Sequence, residues 1–181
     1  MAVKTFTAYS GLSASDTNTY LANSGLVYIT DGTRSAADAR IENCFSATYD
    51  SYRIVVTNYT TPGVRTSAFQ FLSGSTVSGA GYNFGGWYST WAGGAGAVVG
   101  SAQSYWQTCT PNTNPCSFVI DVHRPFLTSQ KTYNVHAVNF DAMMVLSGNF
   151  TNSISYNGWR ITNLNGDANT FSYVVYGYRK A

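Results

Sequence analysis

The chain has 181 residues, which suits one domain with a sizeable core, since domains mostly run to about 100–200 residues. Only 10% are charged, the net charge is +2, and the lysines and arginines are scattered singly, which excludes an electrostatic nucleic-acid binder. No apolar run reaches the ~18 residues of a membrane helix, and 15% aromatic residues argue against a disordered chain.

Residues 1–10 contain TFTAY, a short strand or extended arm. Ser13 followed by Asp16 has the form of a capping box, which predicts one short helix over residues 13–23. Tyr20 and Leu21 give that stub a small apolar patch, and an isolated helix this short is marginal. Residues 1–24 are therefore a candidate anchor to a partner, through Phe6, Tyr9, Tyr20 and Leu21; a helix folded back on its own domain is the alternative. The N-terminal stretch has one lysine and no long apolar core, unlike a secretory signal.

From Gly25 onward the pattern is strand after strand. Leu26–Ile29 is the first, and Ala37, Ala39 and Ile41 then alternate with Asp38, Arg40 and Glu42. The segment from Ser51 to Tyr59 reads as the central strand. Tyr52, Ile54 and Val56 fall on one face, and Arg53, Val55, Thr57 and Tyr59 on the other, so both faces are expected to be covered. Arg65–Leu72 follows. The stretch from Gly74 to Gly100 is rich in glycine and aromatics and predicts short strands with long mobile loops. Further strands are predicted at 104–108, 117–123, 131–140, 143–148, 153–162 and 170–179, with a corner at His123–Leu127. About ten strands at 8–15-residue spacing, without alternating helices, predict an all-β, antiparallel, jelly-roll-like β-sandwich over residues 25–181.

The supply of catalytic groups is thin. Asp121 and His123 share a strand face and His136 stands on the next strand, but no nucleophile is placed beside them and no G-x-S-x-G occurs. Cys109, Cys116, His123 and His136 lack metal-ligand spacing, so neither a metal nor a cofactor is expected. Cys109 and Cys116 bracket the turn-like TPNTNP, which permits a disulfide if the strands approach; two reduced thiols are the alternative. Cys44 reads as a small buried hydrophobe. Trp87, Tyr88 and Trp91 lie in the glycine-rich stretch, where aromatics are hard to bury, and are the candidate binding residues for a sugar ring or a protein partner.

The residues NCFSATYDSYRIVVTN, from Asn43 to Asn58, resemble a recurring segment of bacteriophage virion proteins, especially tail-fibre-like and other structural proteins of phages from marine and freshwater bacteria. IDVHRPFLTSQKT from Ile120, the terminal SYVVYGYRK and the opening TFTAYSGLSASDTNTYLANSGLVYIT are similar to further segments of the same family. Residues 74–114 stand outside the resemblance. It implies a non-enzymatic component of the released virion that contacts other virion proteins and forms a symmetric homo-oligomer, a trimer being favoured. Its place would be a tail fibre or tail-tip module touching host-surface glycan, or a decoration protein on the head. A carbohydrate-binding lectin is the alternative, and a glycan-cleaving enzyme is a third reading.

Overall fold

In a computed structural model describing residues 25–179, the chain forms two antiparallel sheets and, among those residues, no helix. The expected arm and short helix, with Phe6, Tyr9, Tyr20 and Leu21, lie outside the described residues. The strands are β1 (Leu26–Ala36), β2 (Ala39–Ile41), β3 (Tyr49–Thr60), β4 (Ser67–Ser73), β5 (Thr76–Val77), β6 (Tyr82–Thr90), β7 (Ala95–Gln103), β8 (Trp106–Gln107), β9 (Cys116–His123), β10 (Lys131–Val138), β11 (Ala142–Phe150), β12 (Gly158–Asn163) and β13 (Asn169–Arg179). One sheet has the order β1-β13-β3-β9-β10-β11-β6-β7. The other runs β2-β12-β4-β5, with β8 alongside β4.

The sheets face each other across one aromatic core, as in an open sandwich. Trp106 of β8 stacks on Tyr133 of β10 at 4.1 Å between ring centres. Phe71 of β4 stacks on Tyr82 of β6 at 6.2 Å, and Trp159 of β12 meets Tyr173 of β13 edge-on at 5.7 Å. Each such pair adds about 0.5–1.5 kcal/mol beyond the area it buries. Truncating Trp106 or Phe71 to alanine would cost about 3–5 kcal/mol, because the surrounding rings cannot collapse into the gap.

β3 departs from expectation in two ways. Only one face is covered: Tyr52, Ile54 and Val56 are buried, whereas Arg53 and Val55 are half-buried and Thr57 is exposed. The period of two also breaks. Asn58 takes φ 55°, the register shifts between Val56 and Tyr59, and the bulge turns Tyr59 into the core. There its hydroxyl donates to Asn169 Oδ1 at 2.8 Å, an oxygen that also accepts from Asn163 Nδ2 at 2.9 Å. The strand buried along nearly its whole length is instead β4.

The glycine-rich stretch is more regular than its composition suggests. Residues 82–103 form a hairpin of two nine-residue strands, β6 and β7. The glycines permit close packing there. A Cβ at Gly86 would run into the carbonyl oxygen of Val145 on β11, and one at Gly96 would meet the Tyr88 ring at 2.7 Å.

Candidate functional site

Among the described residues the eight-stranded sheet turns one face to the second sheet and leaves the other open, so strand register decides what the open face displays. Reading partners across the ladder, one row runs Ala97, Trp87, Val145, His136, Val119, Val55, Val174, Asp31. The adjacent row runs Val99, Gly85, Ser147, Asn134, Asp121, Arg53, Tyr176, Tyr28. The face divides by what it exposes: toward β7 it exposes Trp87, Val145 and Val99, and toward β1 it carries the charged Asp121, Arg53 and Asp31, the valines between them being half-buried.

On the apolar half Trp87 is 64% exposed, with Val145, Met143 and Val138 exposed beside it. Trp91, 60% exposed, sits in the β6–β7 turn, and its amide donates to the Asp141 carbonyl at 2.9 Å in the β10–β11 turn. Phe140 of that second turn is 58% exposed, so two bulky rings stand at one end of the sheet. The three aromatics expected to act together are therefore split. Trp87 and Tyr88 are neighbours in a strand and point to opposite faces. Tyr88 lies over Gly96 on the inner side and lines a cavity of about 40 Å³ with Cys109, Ala137, Asn139 and Met144. Sequence reasoning missed Met143, Val145, Val138 and Phe140; the alternation of Met143, Val145 and Ser147 against Met144 and Leu146 carried the signal for β11.

The polar half is held by a short ion pair. Arg53 grips Asp121 with two bonds of 2.8 Å, and the Tyr178 hydroxyl donates to the same carboxylate at 2.9 Å. Burial by itself raises the Asp121 pKa. The bonds from Arg53 and Tyr178, with His123 nearby, outweigh burial and hold it below the usual carboxylate range. One row further on, Thr132, His123, Ser51 and Tyr178 lie in register, and Ser51 Oγ shares a 2.9 Å hydrogen bond with His123 Nδ1. A cleft of about 530 Å³ opens here, lined by Asp50, Ser51, His123, Arg124, Gln130 and Thr132. Arg124 takes φ 59°, a left-handed conformation that costs a non-glycine residue energy, and its amide donates to the Asp50 carbonyl at 2.6 Å. The cleft offers hydroxyl, amide, imidazole and guanidinium groups at the opposite end of the sheet from Trp91 and Phe140.

Cys109 and Cys116 are brought together in the core as free thiols, their sulfurs 3.3 Å apart. Burial, and then the Cys116 thiol beside it, push the Cys109 thiol well above its ordinary pKa. Cys44 is buried, as expected, and burial pushes its thiol up to about 12. Among the described residues no three of His, Cys, Asp and Glu gather in a way that could hold a metal.

Compared with known proteins, the chain matches no family model and no curated sequence.

Proposed function

We propose that this protein is a non-enzymatic structural component of a bacteriophage particle. It is a surface appendage that binds other virion proteins and further copies of itself. The observation that carries the reading is the open sheet face whose β6–β11–β10 part exposes Trp87, Met143, Val145 and Val138. Contiguous apolar area of this kind is costly in water and is the usual mark of a surface covered in an assembly. The low charge of the chain and its resemblance to virion proteins give the same direction. Residues 1–24, through Phe6, Tyr9, Tyr20 and Leu21, fasten the domain to the particle. Within this reading the protein is a tail fibre or tail-tip module, or a decoration protein on the head.

The test is mass spectrometry of gradient-purified particles. The protein is expected among the particle proteins; its absence would remove the reading. Hundreds of copies per particle would place it on the head, and a few dozen or fewer on the tail. Protein lacking residues 1–24 is expected to fold and to stay off the particles, and normal attachment would refute the anchor.

A second reading, a carbohydrate-binding module, is favoured by the polar cleft. Its lining combines hydrogen-bond donors and acceptors of the kind sugar hydroxyls require, and Tyr178 pairs in register with Ser51 of the lining. Binding of the isolated domain on a glycan array, lost in Arg124→Ala and kept in Trp87→Ser, would establish it.

A further inference from the structure

The apolar half of the open face ends at β7, and among the described residues β7 is an unprotected edge. Among the described residues β6 is its sole ladder neighbour, so alternate N–H and C=O groups along it point away from the sheet without a strand to receive them. Exposed edges are commonly guarded by charge, by proline or by a bulge that twists them aside. The sequence of β7, AGAVVGSAQ, has no charge and no proline. Its ladder with β6 is unbroken from Ala95 to Gly100, the register shift coming only beyond, near Ala102 with φ 51°. The opposite edge, β1, differs: it carries Asp31 and Arg34 and has a bulge between Tyr28 and Thr30.

The inner side of β7 is shaped to stay flat. Gly96 and Gly100 leave room for the Tyr88 and Phe84 rings of β6, which lie over them. Aromatic cover of edge glycines in this manner holds a strand in register that would otherwise fray. On the outer side Val99 is 78% exposed, the most exposed of the large apolar side chains, at the midpoint of the strand.

We propose that β7 pairs antiparallel with β7 of a second copy of this chain about a two-fold axis through Val99. The pairing makes one continuous sheet of the two eight-stranded ones. In this register Val99 faces its own symmetry mate, Val98 faces Gly100 and Ala97 faces Ser101. Residues of equal parity meet, so both open faces lie on the same side and the two Trp87 patches join. Among the registers that keep both open faces on one side, this one alone sets Val99 against another valine; a shift by two residues would set it against Ala97 or Ser101. No charged group opposes another copy along the contact, which is what a self-complementary edge requires. The contact is two-fold, so it builds even-numbered oligomers rather than a trimer. It deepens the assembly reading above and rests on it.

The experiment uses the full chain in sedimentation-velocity runs over a concentration series. Wild type should show a concentration-dependent dimer. Val99→Lys and Val99→Glu should each be folded and monomeric, because like charges then stand directly opposite on the two-fold axis. An equal mixture of the two variants should dimerise again, with at least a tenfold stronger association than either alone. Wild type that stays monomeric, a trimer, or dimers that persist in both variants would overturn the β7 contact. An unaltered oligomer in both variants would leave particle assembly standing and remove only this edge, whereas absence from purified particles would remove the assembly reading whatever the sedimentation shows. Dimers lost in each variant but not regained in the mixture would overturn the Val99 register. Wild type that dimerises only after residues 1–24 are deleted would show that this segment covers the edge and that a second copy is not its occupant.

Discussion

Lys131 Nζ donates a 2.6 Å hydrogen bond to the carbonyl oxygen of Ile154, tying the corner before β10 to the loop before β12. The carbonyls of Leu127, Ser129 and Asn152 complete a cage at 2.6–3.2 Å, and the Tyr156 ring lies 5.3 Å away. The residue is wholly buried, and it carries a charge where a strand pattern would place an apolar side chain. Lys131→Met should cost about 2–4 kcal/mol, because it removes the donor from the caged carbonyls without filling their hydrogen-bonding need. Denaturant unfolding measures this. A loss below ~1 kcal/mol would show that water replaces the ammonium freely.

The stability profile against pH follows from three kinds of group. Asp121 has a lowered folded-state pKa, so its contribution is full above its unfolded value and is lost as pH falls through the folded one, on the acid side of about 3.8. Burial pushes Lys131 down to about 8 from about 10.5, so the unfolded chain holds the extra proton between those values and this group adds stability as pH rises through them. Burial raises Tyr59, Tyr82 and Tyr133, which keep their protons in the fold after the unfolded chain has lost them. Their contribution therefore disappears as pH climbs above about 10. Unfolding free energies across pH 3–11 should thus fall at the acid end and collapse above about 10, and Lys131→Met should flatten the rise between 8 and 10. A profile still rising above about 10 in wild type would contradict the tyrosine assignment.

Cys109 and Cys116 should join on prolonged exposure to oxidant. Burial keeps the Cys109 thiolate scarce, so the reaction is slow at neutral pH and quickens under mild denaturant. The loop they close is short, and its cross-link should add about 2–3 kcal/mol. Intact mass and a thiol-blocking assay after denaturation report the bond. Two blockable thiols at these positions after full oxidation would show that the backbone there does not yield.

Trp87→Ser should leave the unfolding free energy within about 0.5 kcal/mol of wild type, since the residue is largely exposed among the described residues. The same change should weaken self-association at least tenfold if the open face is covered in the assembly. Trp106→Ala is the contrasting case, with stability lost through the core. A Trp87→Ser protein that assembles like wild type would move the contact off this face.

Much of the larger sheet was legible in the sequence. β9 and β13 alternate cleanly because one face of each is buried and the other open, and β3 does so up to Val56. The Asn58 bulge was hidden, since asparagine tolerates a left-handed φ without announcing it, and Tyr59 was placed on the wrong face in consequence. The β6–β7 hairpin was obscured by its glycines, which lower strand propensity yet are required where Gly86 and Gly96 meet neighbouring backbone and ring. Once that hairpin is read as strand, period two alone separates Trp87 from Tyr88. The Lys131 cage could not be read, because its partners are backbone carbonyls, which carry no residue identity.

Electron cryomicroscopy of the intact particle should show density for this domain on the particle surface, with Trp87, Met143 and Val145 covered by a neighbouring subunit and the Arg53–Asp121 half of the sheet facing outward. A particle in which the Trp87 face is bare to solvent, or which has no density for the domain, would contradict the proposed assembly.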